Sequence, residues 1–580
     1  MDWAKRALRC WPWLAAISSG VLYRACFAPF DQAWLCWVAL TPLLAAVWFS
    51  GQSSKRRWRR DLLLGYVAGL AFFWSVFSWL TTVTVPGWIL VGLYMAIYIA
   101  IWSWLAGRLR PSGILAVKEK PLTGLDAVTQ RLAQKRAGAL AARSGDTLVA
   151  APLATGVSPL QNSPWLNSWR NLFLAFLLAS AWVAVETVRS VLFSGWGWNT
   201  LGSALHAQWA MIQIVDTTGV PGLSFLTAFT NVILVATVRR FILETQIKRV
   251  RPHFDLTLTM ATLVGVMGYG LRAVQMPQAS TLVRVAAVQS NIPREQKFSE
   301  EFAQATFDKF TRLSQLALQS HPDLLLWPES SMPHVVLPGT ESYDFVMRFS
   351  SDIKTDLVLG VIDEDGKDAY NAALLVSGPD QQVQLYRKLH LVPFGEYVPG
   401  RHTIPGISQI VGDQVPEDFG FGKEFTVFQT SRPDVRLAPL ICFEDTIGEL
   451  TRQFVIRGAN LLTNVTNDGW FLRSAGSQQH LANAVFRCVE NRLPMVRAAN
   501  TGVTCFINEF GRITQVLLDA TGTQFTEGVL TGEVAVPADP RPTFYVRHGE
   551  LFAHVCTGIA ALTLLALVPR LVRRRSRAAT

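Results

Sequence analysis

Eight apolar runs, each near the length that crosses a bilayer, constrain this chain more than any other feature. A spanning helix needs about 20 mainly apolar residues, because hydrocarbon offers no partner for an unpaired backbone group. Such runs lie at Trp11–Pro29, Ala33–Phe49, Leu62–Val83, Gly87–Gly107, Asn171–Phe193, Val220–Val238, Leu256–Gln275 and Leu551–Val568. Seven precede a long polar block and one follows it. Composition agrees, since only 16% of residues are charged and 20 are Trp, against about 25% charged in soluble domains. Lys5, Arg6 and Arg9 before the first run imitate a signal peptide. Further runs follow at once and no small-x-small cleavage site stands out, so the first run reads as a retained span. Arg24 near its end is expected to snorkel to the interface.

The net charge of +11 is gathered in clusters beside apolar runs, which fits topology signals and not a nucleic-acid surface. Lys55, Arg56, Arg57, Arg59 and Arg60 separate runs two and three. Arg239, Arg240, Lys248, Arg249 and Arg251 separate runs six and seven, and Arg570, Arg573, Arg574, Arg575 and Arg577 follow the last. With the N-terminus inside and eight crossings, all three clusters fall on the cytoplasmic side, and the links at Asp31 and Val85–Pro86 fall outside. The expected domains are a membrane domain over 1–279, an extracytoplasmic block over 280–549, and a closing span with a basic tail over 550–580. Segment Pro111–Trp169 is rich in Ala, Ser, Pro, Lys and Arg and reads as a mobile cytoplasmic loop. Glu186 and Arg189 sit three residues apart in the fifth run; they suit either a functional site or a structural ion pair. Trp196 and Trp198 in the loop that follows suit an interfacial belt.

The polar block alternates between the two periodicities. Strand-like runs occur at Leu282–Gln289, Asp323–Trp327, Asp356–Ile362, Ala372–Val376, Arg436–Ile441, Ala459–Val465, Met495–Ala499 and Val503–Asn508, and helical ones at Glu300–Gln319 and Ser477–Asn491. The mixture predicts an α/β layered domain. No G-x-G-x-x-G, P-loop or H-E-x-x-H is present, so nucleotide and zinc readings lack a motif. The seven Cys are odd in number and irregularly spaced, which fits neither a disulfide framework nor a metal site. No cofactor or metal is expected.

Three strand ends carry chemically loaded residues. An apolar run ends at Leu326-Trp327-Pro328-Glu329-Ser330-Ser331. A second stretch reads Tyr386-Arg387-Lys388-Leu389-His390-Leu391-Val392-Pro393-Phe394-Gly395-Glu396. The third, Leu437-Ala438-Pro439-Leu440-Ile441-Cys442-Phe443-Glu444-Asp445, delivers a thiol to a strand end beside two carboxylates. A thiol nucleophile needs a base for its proton, and an acyl-transfer intermediate needs a cation or N–H donors for its oxyanion. Glu, Lys and Cys can fill those roles. Taken singly, Cys442 also reads as a small core hydrophobe, and Glu329 and Lys388 as solvated loop residues. Cys488 and Cys505 read as core residues, His390 as structural, and His480 has no evident partner.

In this order the stretches W-P-E-S, Y-R-K-L-H-L-V-P-F-G-E and I-C-F-E-D resemble the nitrilase superfamily, joined by Tyr370-Asn371, Thr466-Asn467-Asp468-Gly469-Trp470-Phe471 and the opening strand Val285–Pro293. Phe27-Ala28-Pro29-Phe30, Trp198-Asn199-Thr200-Leu201-Gly202 and Gly219-Val220-Pro221-Gly222-Leu223-Ser224-Phe225 narrow the resemblance to the apolipoprotein N-acyltransferases. The resemblance implies a nitrilase-like αββα sandwich on a multi-span anchor, facing the periplasm from a bacterial inner membrane. It implies Glu329 as general base, Lys388 as oxyanion stabiliser and Cys442 as nucleophile. Glu396, Glu444 and Asn371 match supporting positions, and the Phe443 N–H suits a second oxyanion donor. The chain departs from the family's usual Tyr at Phe443, its usual Trp at Phe298, and a small residue at Leu472-Arg473.

The expected reaction passes an acyl chain from a phospholipid to Cys442 as a thioester, then to the α-amine of a diacylglyceryl-cysteine at a lipoprotein's N-terminus. Expected partners are the phospholipid donor, the diacylglyceryl apolipoprotein acceptor and membrane lipid, with no nucleic acid and a monomeric state. Two other readings stay open: a membrane-anchored amidase using water as acceptor, and a catalytically inactive membrane scaffold.

Overall fold

The computed structural model describes residues 2–51, 56–111, 164–246, 251–378, 380–401, 403 and 417–579. Most of the Pro111–Trp169 insertion, with Lys55, Lys248 and Arg249, lies outside the described residues. The long helices of the anchor are α1 (Asp2–Ala25), α2 (Thr41–Phe49), α3 (Arg57–Val76), α4 (Val85–Arg108), α5 (Pro164–Val191), α6 (Val220–Gln246) and α7 (Phe254–Ala273).

Of the eight apolar runs, five become helices long and apolar enough to cross a membrane: Val85–Arg108, Trp165–Val191, Val220–Thr245, Phe254–Ala273 and Leu551–Pro569. The other three differ for physical reasons. Helices α1 and α3 each open on charged residues, which lowers their apolarity. The Ala33–Phe49 run is broken into a 3-10 turn, Ala33–Trp37, and the nine-residue α2. Asn231 of α6 bridges that break: its Oδ1 accepts from Leu40 N at 2.9 Å and its Nδ2 donates to Cys36 O at 2.8 Å. The interruption is tolerable because these freed backbone groups find partners within the protein.

Helix α4 begins at Thr84, whose side chain accepts from Gly87 N, and its apolar character continues around the whole helix, as expected of a span. It packs along α3, where Gly65 and Gly69 let the two backbones meet. A Cβ on Gly69 would come within 2.7 Å of Ala96 Cα, the close approach that small residues four apart permit in membranes. Arg24 does not snorkel. It is buried, and its guanidinium donates to Ser75, Phe27 and Ala28 carbonyls, which outcompete the interface as partners.

The polar block is a two-sheet sandwich. Its strands are β1 (Thr281–Gln289), β2 (Leu324–Trp327), β3 (Asp356–Glu364), β4 (Ala369–Val376), β5 (Val383–Arg387), β6 (Phe428–Gln429), β7 (Arg436–Ile441), β8 (Leu461–Thr466), β9 (Met495–Ala499), β10 (Cys505–Ile507), β11 (Ile513–Val516) and β12 (Gly528–Val536). One sheet runs β12-β1-β2-β3-β4-β5 and the other β11-β10-β9-β8-β7-β6. Within each, three central strands are parallel and the flanking ones antiparallel. Parallel neighbours need crossovers, supplied by α8 (Ala303–Leu318), α9 (Glu341–Asp352), α10 (Gly448–Ile456) and α11 (Gly476–Asn491). The chain thus repeats one pattern, strand-helix-strand-helix-strand-strand-strand, from β1 to β5 and again from β7 to β11.

Side chains of both inner faces, such as Val285, Leu326 and Val358 of one sheet and Leu437, Val465 and Val496 of the other, share one apolar core. Phe307, Phe310 and Leu313 of α8 cover the outside of the first sheet with Leu325, Trp327 and Leu359. The helix α11 is buried along its length, because its outer face meets the anchor. Gln479 donates to Ala28 O and Val76 O and accepts from Trp79 Nε1. The chain closes with α12 (Leu551–Ala579), which packs on α5 and α6.

Candidate active site

The three chemically loaded stretches converge. Glu329 follows the end of β2, Lys388 the end of β5 and Cys442 the end of β7. The burial of β2 and β7 on both faces, LLLW and RLAPLI, fixes where those ends come out. Lys388 N is held by Asn371 O at 2.8 Å, continuing the β4–β5 pairing one residue past the strand.

Glu329 and Lys388 are buried, at 7% and 1% exposure, while Cys442 keeps partial access. Lys388 Nζ sits 2.8 Å from each Glu396 oxygen and 4.0 Å from Glu329 Oε1. Asn371 Nδ2 joins the two carboxylates, donating to Glu329 Oε1 at 2.7 Å and to Glu396 Oε1 at 2.6 Å. Val392 N secures the other Glu396 oxygen at 2.7 Å. Asn371 and Glu396 therefore fix both Glu329 and Lys388.

Electrostatics follow from burial. Desolvation raises the Glu329 carboxyl above its usual range, with Lys388 opposing and Glu396 adding to the shift. Burial works against the Lys388 charge, yet the carboxylates, Glu396 foremost, hold it above the usual lysine range. Burial also pushes the Cys442 thiol up, Glu329 adds to this and Lys388 opposes it. The resting pair is thus a thiol beside a carboxylate of raised basicity. That arrangement suits removal of the proton during attack better than a standing thiolate.

Cys442 itself has φ +49°, a left-handed conformation that costs a non-glycine residue of order 1 kcal/mol or more. It marks an abrupt turn from β7 into a 3-10 turn, Cys442–Thr446. Glu444 secures the turn from below as a fully buried acceptor. It takes Ile441 N at 3.0 Å, Leu389 N at 2.8 Å, His390 N at 3.1 Å and the Tyr386 hydroxyl at 2.8 Å. One carboxylate thereby ties the cysteine stretch to the lysine stretch. Burial pushes it up to about 7, against Lys388 and the Ile441, Tyr386 and His390 donors.

Phe443 is buried with its ring stacked between Trp198, 5.9 Å away at 13°, and His390, 5.7 Å away at 15°. The Phe443 ring thus belongs to a set of near-parallel rings that a plain phenyl can pack within. His390 is accordingly a packing residue. Phe298 is exposed with φ +63°, and the adjacent Lys297 turns inward, donating to Glu329 O and Ser330 O at 2.8 and 3.0 Å. Burial pulls Lys297 down to about 8. Leu472 is likewise exposed with φ +48°.

Several contributors had no local signal. Lys297 and Tyr386 act through contacts 32 and 58 residues distant. His480, which had no partner in the sequence reading, lies between Asp445 and Asp468, at 2.8 Å from each. Glu186 forms no ion pair with Arg189 among the described residues; its Oε1 instead accepts from Trp182 Nε1 and Leu201 N, bracing the loop that carries Trp198. Cys488 and Cys505 are core residues, as expected.

Comparison with known proteins bears on both parts of the chain. The carbon-nitrogen hydrolase family profile matches residues 284–538. That of the apolipoprotein N-acyltransferase N-terminal domain matches residues 19–123 and 145–233. An apolipoprotein N-acyltransferase from Geobacter metallireducens is 31% identical over 566 residues, covering 95% of this chain and 94% of that protein. One from Chlorobaculum tepidum is 34% identical over 404 residues, covering 65% and 73%. A crystal structure of an amidase from Nesterenkonia sp. is 18% identical with a TM-score of 0.36, covering 48% of this chain and 97% of that one.

Proposed function

Because the chain belongs to the apolipoprotein N-acyltransferase family, we propose that it acylates the N-terminal amine of lipoproteins, with phospholipid as the acyl donor and Cys442 as the carrier. The observation that carries this reading is a buried Glu329–Asn371–Glu396–Lys388 network whose charges act directly on the Cys442 thiol.

In the first half-reaction Cys442 Sγ attacks the ester carbonyl carbon while Glu329 accepts the thiol proton. The tetrahedral oxyanion is met by Lys388 Nζ and the Phe443 N–H. Collapse breaks the ester C–O bond, and Glu329 returns its proton to the departing lysophospholipid oxygen. In the second half-reaction the α-amine of a diacylglyceryl-cysteine attacks the thioester carbonyl. Glu329 takes a proton from the amine and delivers it to the departing Cys442 sulfur, which restores the starting thiol. Every proton returns, so the cycle closes without a cofactor. Glu396 and Asn371 hold the base and the cation apart in fixed positions, and Glu444 holds the nucleophile's turn.

The basic clusters beside the spans support an orientation with 280–549 on the periplasmic side of a bacterial inner membrane. In this reading all eight runs cross, Ala33–Phe49 as a broken helix, between a membrane domain over 1–279 and a closing span over 550–580, in a monomeric protein. Donor and acceptor are then both confined to the leaflet the site faces, so proximity substitutes for affinity from solution.

The test is intact-mass and peptide spectrometry of the protein incubated with phospholipid. An acyl-sized adduct on Cys442 that disappears on adding a diacylated lipopeptide supports both half-reactions, and Cys442→Ala must abolish it. An adduct lost equally fast to water without the lipopeptide overturns the transferase in favour of the amidase. Normal N-acylation by Cys442→Ala removes the assignment of the carrier.

A further inference from the structure

The chemistry above leaves unused a charged cluster buried beneath the nucleophile. Asp445, Asp468, His480 and Arg497 are each at most 1% exposed. His480 Nε2 is 2.8 Å from Asp445 Oδ1 and its Nδ1 is 2.8 Å from Asp468 Oδ1. Arg497 reaches Asp445 Oδ2 at 3.4 Å and Asp468 Oδ2 at 3.3 Å, and its Nη1 donates to Val503 O at 2.7 Å. Its Nη2 also lies 2.9 Å from His480 Nδ1, which for a protonated imidazole is a like-charge approach that Asp468, facing both groups, offsets. Two carboxylates against one guanidinium leave a negative charge uncompensated in a dry interior, which is costly. A protonated His480 cancels it. Burial and the neighbouring Arg497 oppose that proton, but Asp445 first and Asp468 second outweigh them and push the imidazole up to about 9.

The cluster reaches the reacting centre through one atom. Cys442 O lies 3.2 Å from His480 Nε2 and accepts Asn464 Nδ2 at 3.0 Å. Among the described residues only Ala28–Pro29 is cis, so the Cys442–Phe443 peptide is trans and its C=O and N–H point in opposite directions. Whatever fixes the carbonyl therefore aims the Phe443 N–H. A cation at the carbonyl oxygen also draws electron density through the amide and strengthens its N–H as a donor. The peptide needs such fixing, because Cys442 stands at φ +49°. Trp198 closes the other side, stacked over His480 at 5.4 Å and 22°.

We propose that His480, as an imidazolium held between Asp445 and Asp468, is a positioning residue that orients and polarises the Cys442–Phe443 peptide as an oxyanion donor. The proposal rests on the acyl-transfer reading of Cys442. It separates two tasks: the Glu329 network handles the proton, and the His480 cluster handles the developing negative charge.

The experiment uses the full-length protein in phospholipid-containing micelles and His480→Gln, which keeps an N–H near Nε2 but loses the charge. Two rates at Cys442 are read by peptide mass spectrometry: single-turnover thioester formation from phospholipid, and alkylation by iodoacetamide, a displacement that forms no oxyanion. The expected result is a thioester rate lower by about 10²–10³-fold, the effect of losing one oxyanion donor, at unchanged KM and with alkylation within about threefold of the wild type. Unchanged thioester formation overturns the proposal, and so does a parallel fall in both rates, which marks a merely structural residue. If His480→Gln does not fold, Asn464→Ala removes the other bond to the same carbonyl and must give the same selective loss; its absence is also a refutation. A wild-type protein that forms no thioester removes the acyl-transfer reading first and this one with it.

Discussion

Adding one methyl group to the neighbouring strand should misplace the base without touching any ionisable group. Gly360 lies on β3 beside the turn that presents Glu329. An ideal Cβ there would stand 2.5 Å from Glu329 Cα, 2.8 Å from Pro328 O and 3.0 Å from Ser330 N, all backbone atoms. Ordinary contact begins at 3.4 Å, so the closest pair is short by roughly 0.9 Å. The strands cannot simply part, because Ser331 N donates to Gly360 O at 2.8 Å and Gly360 N to Pro328 O at 3.1 Å. Gly360→Ala should therefore shift Glu329 by about an ångström relative to Cys442. Such overpacking costs about 1–3 kcal/mol of stability, and an ångström of misplacement costs about 10²-fold in rate, or about 2.7 kcal/mol of barrier. The assay is single-turnover thioester formation on Cys442 alongside thermal unfolding. The control is Gly528→Ala, whose methyl group meets only the flexible end of Leu517 at 3.3 Å. A folded Gly360→Ala protein that acylates within threefold of the control refutes the claim that backbone contact sets the position of Glu329.

Glu396→Gln leaves the buried Lys388 without the charge of its 2.8 Å partner and should draw it toward Glu329, 4.0 Å away; losing one charge of such a pair costs up to about 3–5 kcal/mol, readable in chemical denaturation, with thioester formation lost in parallel. Because burial and Glu329 hold the Cys442 thiol above its ordinary range, iodoacetamide alkylation of Cys442 should still be rising as pH passes 9; a plateau below pH 8 contradicts this. His480 is raised from 6.5 to about 9 in the folded state, so its stabilising effect is complete below about pH 6.5 and lost as pH climbs through 9. At 1.36 kcal/mol per unit the loss approaches roughly 3 kcal/mol, and His480→Gln should flatten that part of a stability–pH curve. Trp198→Ala removes a ring packed on Phe443, His480, Trp79 and Phe471 and should cost about 3–5 kcal/mol and slow thioester formation; full activity in that variant makes the loop dispensable.

What could be read in the sequence was whatever is local. The central strands β1, β3, β7, β8 and β9 are buried on both faces and appear as apolar runs. The edge strands β5, β6, β11 and β12 were missed because exposure at an edge mixes polar residues into the pattern, as in Ile513–Val516, exposed along its length. Apolar length likewise identifies spans but not their continuity: nothing near Ala33–Phe49 announces that Asn231, far along the chain, will satisfy a break. Glu329, Lys388 and Cys442 stood out because each sits where an apolar strand stops. The residues that hold them did not. Tyr386 is strand-buried like any core aromatic. His480 lies on a helix whose amphipathic pattern gives no hint of two aspartates 12 and 35 positions before it. Buried charge clusters are set by tertiary pairing, and a linear pattern carries no trace of which charges meet.

The anchor does more than moor the sandwich. Trp79 and Trp198 belong to loops between membrane helices, yet they pack against Phe471, Phe443 and His480, the rings adjoining the nucleophile's turn. Glu186, inside a span, braces the Trp198 loop by accepting from Leu201 N, and Gln479 pins α11 to the carbonyls of Ala28 and Val76. A continuous set of contacts therefore joins the helix ends to the Cys442–Phe443 peptide. In the proposed reading the sandwich alone supplies a nucleophile, a base and a cation, a combination that suits any acyl transfer from a carbon–nitrogen or ester bond. On that reading, packing the walls of the site from loops of the anchor would set its distance from the bilayer and tie its geometry to insertion. A shift in how the helix ends sit would then reach the Cys442–Phe443 peptide before it reached Glu329 or Lys388, which are held by Asn371 and Glu396 from within the first sheet and its following loop.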